Sequence, residues 1–594
     1  MKRLRSTLRL RPLVLGFALL VLSGIAGTAQ TETTSERVID LPPLMVEEAA
    51  TPLRWRYVEF QGIEMLSVVS DGATRAFLRR YHNQSEILKW IVPAKYQGQS
   101  SVPDEYILFN EQVGRARSQE VINSMMKNQR AEAQRKREKE KEKAAPRSWD
   151  GGRDRSRNEP RIRFLPNMRL NDTDTTAVFV VVRESDSLSS EFNFTLDRVA
   201  HLLLSRVPAL PSWFTFGMVG LYERAAISDD QIVFRPATWT TPDALAALQN
   251  NPEPPRTLLS MEELFSGRPA RGGPRTDFDK IWRVQCTLFL RWAVAEEKGA
   301  RREALWAFLD RLEKEPLSEA LFQEYFGVGY ADMRDILSDY LLAAVDQQVT
   351  LRGPKIAKAP AIALRDATPL DIARIRGDWE RIQISFVRKT YPAVVDKYIE
   401  QARRTLRKPY DLGERDPRLL ALLGLLECDA GNRDAAQPFL EAALKARVVR
   451  PRVYYELALR RYTDAIARLD DNGLTREQIA AITAPLDIAR TLLPPLAVSD
   501  AIESDIWLRT REPLPASTLD YLNESVRRFP HVEGIALRVA RLNIERGDYP
   551  QAVSQLRLAL PFVSDNKTRQ VIEKEIATLS RLRAPAADSL LAHE

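Results

Sequence analysis

Residues 417–445 read PRLLALLGLLECDAGNRDAAQPFLEAALK, and within them Leu423-Gly424, Gly431, Ala436, Leu440 and Ala443 form a ladder of small and large apolar positions. The same ladder returns as Val539-Ala540, Gly547, Ala552, Leu556 and Ala559. Partial copies stand 34 residues from these, at Leu457-Ala458 and at Leu522 with Ser525, the latter followed by Pro530. Self-similarity at such a period signals stacked helical units, because each unit leaves one apolar face that only its neighbours can bury. Tyr391 to Ala402 reads as the second helix of a further unit.

This ladder resembles the tetratricopeptide consensus. The resemblance implies small residues at Gly424 and Ala540 where two helices cross, turn glycines at Gly431 and Gly547, and packing positions on the second helix at Ala436, Ala443, Ala552 and Ala559. Residues 371–585 are therefore expected to form an α-solenoid of helix pairs whose groove binds a protein or peptide partner.

Upstream, Arg352 to Pro369 holds three prolines and reads as a linker, placed at 351–370. Before it the chain divides into a small α/β unit at 52–190 and a helical block at 191–350. In the first, WRYVEFQGIEMLSVV (Trp55 to Val69) places β-branched and aromatic residues on both sides of Gln61-Gly62, the pattern of a hairpin. Asp71 to Val92 changes to helical period, and strands are expected at Glu105 to Phe109 and Thr176 to Arg183. In the second block six helices are expected, the first at Phe194 to Val207 and the last at Ala331 to Val345. The fold class is thus mainly α with a small α/β part.

The helical block opens with Leu196-Asp197-Arg198-Val199-Ala200-His201-Leu202-Leu203, followed by Leu210-Pro211-Ser212-Trp213-Phe214-Thr215-Phe216-Gly217 and then Tyr222. With Gln285 on a later helix and Phe326-Gly327 before a last one, this order resembles the gluzincin metallopeptidases of the peptidase-MA-like kind. There, two histidines one helical turn apart and a later glutamate hold zinc, and a second glutamate polarises the bound water. Onto this motif Asp197 falls at the first histidine, Arg198 at the general base, His201 at the second histidine and Phe216 at the third ligand. The resemblance implies a turn at Gly217. It also implies a degenerate site, since a phenyl ring offers no lone pair and an arginine repels the metal. No catalytic residue, metal or cofactor is assigned.

The ends and the charge complete the expectation. Five cations precede the apolar run Leu13 to Ile25 and the small residues Gly27, Thr28 and Ala29, the order of a cleaved signal peptide at 1–29. A Pro-containing linker follows at 30–51, and 586–594 is a tail. The mature chain is expected to be exported, periplasmic or extracellular, with no transmembrane segment. The net charge of +7 does not point to nucleic acid. Five of those charges sit in the leader, and residues 127–163 carry 14 Lys/Arg against 7 Asp/Glu, which leaves the remainder acidic. That basic stretch has almost nothing to bury and is expected to be a disordered insertion with at most weak contact to anionic surfaces. Cys286 and Cys428 lie in separate helical patterns and are expected to be free thiols. Four histidines, no Gly-rich phosphate loop and no Gly-x-Ser-x-Gly leave the usual enzyme templates unmet. The leading reading is an exported non-catalytic peptidase-like scaffold. The alternatives are an active hydrolase with atypical ligands and a cell-envelope structural component.

Overall fold

The computed structural model describes residues 38–42, 53–110, 161–164, 167–182, 194–223, 225–227, 231–236, 258–267, 275–295, 299–353, 356–470, 473–563 and 565–582. The expected leader, most of the 30–51 linker, residues 127–160 of the basic insertion and the tail lie outside the described residues. Among the described residues the fold is mainly helical with a small sheet region, and no helix is long and apolar enough to cross a membrane.

Part of the expected linker is strand. β1 (Val38–Leu41) pairs in parallel with β5 (Arg161–Phe164), which was expected to end the basic insertion. Leu41 is fully buried beside Ile384, Val387 and Tyr398, and the Tyr398 hydroxyl donates to the Pro42 carbonyl at 2.9 Å. A composition reading misses this because only two residues of a polar stretch supply the anchor.

The hairpin forms as the sequence indicates. β2 (Arg56–Phe60) and β3 (Ile63–Ser67) pair antiparallel around Gln61 and Gly62, whose φ of 47° and 80° fit the left-handed region that a tight turn needs. α1 (Asp71–Ile91), capped by the Ser70 side chain, then crosses to β4 (Asp104–Asn110). With β6 (Met168–Asn171), β7 (Thr176–Val182) and the short β11 (Arg365–Asp366), the sheet order is β11-β2-β3-β4-β7-β6, and β3, β4 and β7 run parallel. One face, with Val58, Met65, Tyr106 and Leu108, packs on Phe77, Leu78 and Tyr81 of α1. The other carries Tyr57, Leu66, Ile107 and Phe179 and receives α9 (Pro369–Thr390), whose Trp379 stacks on Phe179 at 5.5 Å. Strands buried on both faces explain the unbroken apolar run of β7.

The division expected at 351–370 is not a free connector. β10 (Val349–Arg352) and β11 both enter sheets, Ala359, Ile362 and Leu364 pack under the six-stranded sheet, and α9 itself is that sheet's second helical layer. Its charged residues hid this role, since a sheet-covering helix is ordinarily apolar on the covered side.

The helical block contains α2 (Phe194–Leu204), α3 (Ser212–Glu223), α4 (Met261–Ser266), α5 (Arg275–Val294), α6 (Ala300–Leu312), α7 (Glu319–Phe326) and α8 (Tyr330–Asp346). Short strands β8 (Ala225–Ile227) and β9 (Gln231–Phe234) complete an antiparallel sheet with β10. Its core is aromatic, with Trp213, Phe265, Phe289, Phe308 and Phe322 in mutual contact. Gly217 is not a turn but lies inside α3, where a Cβ would stand 2.5 Å from the Cys286 carbonyl oxygen of α5. The glycine is needed for a close helix crossing.

After α9 come α10 (Val395–Asp411), α11 (Pro417–Ala430), α12 (Arg433–Lys445), α13 (Pro451–Ala467), α14 (Arg476–Ala489), α15 (Ala497–Leu508), α16 (Ala516–Arg528), α17 (Glu533–Arg546), α18 (Tyr549–Ala559) and α19 (Asn566–Leu582). Successive helices pack as neighbours, α9 on α10, α11 on α12, α13 on α14 and α17 on α18. Gly424 of α11 faces Leu440 of α12, with an added Cβ 2.6 Å from Leu440 Cδ2. Gly431 and Gly547 end α11 and α17 at φ of 86° and 83°. Ala436, Ala443, Ala540, Ala552 and Ala559 are all buried.

These contacts rank substitutions. Gly217→Ala drives a methyl group into backbone, so it is expected to cost about 1 to 3 kcal/mol. Gly424→Ala meets chiefly the end of a leucine side chain, which can move, and should cost less. Urea midpoints of the two variants measure the difference, and a larger loss at Gly424 would contradict the close α3–α5 crossing.

Candidate functional site

Of the four motif positions, the two with described side chains, His201 and Phe216, point apart. Asp197, Arg198 and His201 lie on α2, and the side chains at 197 and 198 are outside the described residues. The His201 ring faces the sheet, 3.3 and 3.4 Å from the Thr176 hydroxyl, with Nε2 3.8 Å from Asp104 Oδ1. Phe216 on α3 turns instead to α5, packing edge-on against Trp282 at 5.2 Å with the Arg283 guanidinium 5.1 Å from its ring. A position filled by a phenyl ring and faced by a cation does not fit a zinc ion. Among the described residues no three His, Cys, Asp or Glu side chains stand close enough to hold a metal. The frame around the motif is structural. Trp213 and Tyr222 are core residues, and the buried Gln285 amide clamps the Leu259 backbone, accepting from its N–H at 2.7 Å and donating to its carbonyl at 2.9 Å. Cys286 and Cys428 are free thiols.

The densest polar cluster lies elsewhere, where the turn between β6 and β7 meets the C-terminal helices. Asp172 accepts from Arg381 of α9 and, at 2.6 Å, from Arg452 of α13. Asp174 accepts from the Arg450 Nε at 3.0 Å and from the Arg452 backbone N–H at 2.8 Å. Arg450, the residue that precedes α13, also reaches Asp378 of α9 at 2.8 Å, and Arg381 reaches both Asp378 and Asp429 of α11. Arg452 closes the set on Asp429 and Glu456. One turn of the sheet is thereby tied to three consecutive odd-numbered helices.

A second group continues it across the sheet. Glu64 of β3 accepts from Arg374 of α9, from Arg418 of α11 and, at 2.6 Å, from the Tyr57 hydroxyl. Burial opposes the ionisation of Glu64 and Asp172, yet the guanidinium groups outweigh it and hold both carboxyls below their ordinary range. For Asp174 burial wins and its carboxyl is raised in spite of Arg450. Arg381 and Arg450 are desolvated but surrounded by carboxylates, so both stay charged.

Sequence reading missed this junction. Its one local signal was the spacing of Arg374, Asp378 and Arg381, which puts three charges on one face of a helix that also carries Ile375, Trp379 and Ile382. Chemically the cluster is closed, with each guanidinium directed at carboxylates of this chain, so it serves to hold parts together. Compared with models of known protein families and with curated proteins, the chain matches none.

Arg450→Met would leave Asp174 and Asp378 buried without their shared cation and is expected to cost about 3 to 5 kcal/mol. Arg404→Met removes the exposed partner of Glu400 and should cost under about 1 kcal/mol. Chemical denaturation of both variants gives the comparison, and equal losses would show that charge pairing does not hold the junction.

Proposed function

We propose that this chain is an exported, non-catalytic scaffold in which a peptidase-like body carries a tetratricopeptide-like solenoid that binds a protein or peptide partner. The observation that carries the reading is the divergence of His201 and Phe216, one engaged with the sheet and the other stacked on Trp282, which leaves the motif without a ligand set. The small-residue crossing of Gly424 on Leu440 and the left-handed caps at Gly431 and Gly547 support the repeat reading. The buried junction supports a scaffold role, because it fixes the helices to the body through directional guanidinium forks. Export rests on the order of charged, apolar and small residues in 1–29.

On this reading the purified mature protein carries no stoichiometric zinc by elemental analysis and does not cleave unfolded protein substrates, and His201→Ala changes neither result. Photo-crosslinkers placed at the exposed Val449 and Leu537 capture a defined partner, whereas one at the exposed Leu317 of the body does not. One tightly held zinc, or hydrolysis that a chelator abolishes and zinc restores, would replace this reading with an active hydrolase.

A further inference from the structure

Glu105 is the second residue of β4, on the face that α9 covers, in line with Ile107 and Phe109. Its neighbour across the parallel β3–β4 ladder is Glu64. Adjacent strands are separated by about 4.8 Å, so two carboxyl groups lie side by side under one helix. Asp378 of α9 adds a third acidic group to the same space, which also holds Arg374 of α9 and Arg450 from the start of α13. The two arginines are already engaged, Arg374 with Glu64 and Arg450 with Asp174 and Asp378. On the remaining side Glu105 pairs with Ala177 of β7, which brings no charge. Glu105 is 7% exposed, makes no ion pair among the described residues, and its Oε2 is buried without a hydrogen-bond partner there.

We infer that Glu105 is a proton-operated latch between the sheet and the C-terminal helices, closed while its carboxyl is protonated and weakened when it ionises. A protonated carboxyl can lie beside Glu64 and Asp378 without repulsion. A carboxylate there would be a desolvated third anion with no free cation among the described residues to meet it. Burial is the largest influence on this carboxyl and raises it well above its ordinary range, with Asp378 and Glu64 adding to the rise and Arg450 and Arg374 opposing it. Because the closed state holds the proton more tightly than an opened one, its advantage is complete below the ordinary glutamate value and is lost as pH rises towards the raised one. The junction is therefore firmest in mildly acidic solution. This inference is independent of what the helices bind.

Amide hydrogen exchange in α9, corrected for the intrinsic rate at each pH, reads the opening of the junction in the full chain. Glu105→Gln keeps the shape of the protonated side chain and cannot ionise. In the wild type, protection of α9 relative to Glu105→Gln should fall by up to tenfold per pH unit as pH rises above the ordinary glutamate range, since one unit of differential proton binding is a factor of ten. Glu105→Leu, neutral as well, should follow the Gln variant in slope if the Gln variant folds poorly. Glu59→Gln, on an exposed residue of β2 that also pairs with Glu64, should follow the wild type. Parallel pH profiles for wild type and Glu105→Gln would overturn the inference, as would a Glu59→Gln profile as flat as that of Glu105→Gln.

Discussion

The sheet and the C-terminal helices are tied together by one arrangement, a turn carrying Asp172 and Asp174 set among Arg381, Arg450 and Arg452. Burying such charges is costly, and an apolar interface of equal area could be as stable or more so. What the ions supply is geometry. A guanidinium fork matches a carboxylate in one plane and at one distance, so an interface built from several of them cannot slide as an apolar one can. The sheet and the C-terminal helices are consequently registered to one another as well as attached.

The helix α9 is the piece on which this depends. Its apolar residues Ile375, Trp379 and Ile382 cover the sheet, its Gly377 admits Leu406 of α10, and its charges Arg374, Asp378 and Arg381 reach β3, the β6–β7 turn, α11 and α13. The same helix closes one core and begins the next. Glycines admit a neighbouring helix in both parts, Gly217 against the Cys286 backbone in the body and Gly424 against the Leu440 side chain in the helical array.

Local patterns were legible and long-range partnerships were not. The hairpin at Gln61-Gly62 and the helix α1 follow from short-range chemistry, because the residues that decide them are adjacent. Gly217 was read as a turn and is a crossing, since glycine signals both and only the neighbouring α5 distinguishes them. The strand at Val38–Leu41, the covering role of α9 and the junction depend on partners more than a hundred residues away, which no local period encodes. His201 and Phe216 lie on α2 and α3, and the direction in which each points emerges only with the packing.

That the body and the helical array behave as one unit is the claim on which the rest stands, and the two cysteines test it. Cys286 is buried in the core of the body and Cys428 is half-buried in α11, with burial pushing both thiols up, so a rise in the labelling of either above its native rate reports opening around it. Thiol labelling across a urea series, with the labelled residue identified by peptide mapping, should give the same transition midpoint for both. Exposure of Cys428 at a urea concentration where Cys286 remains protected would mean that the array unfolds on its own and that the buried junction does not couple the two.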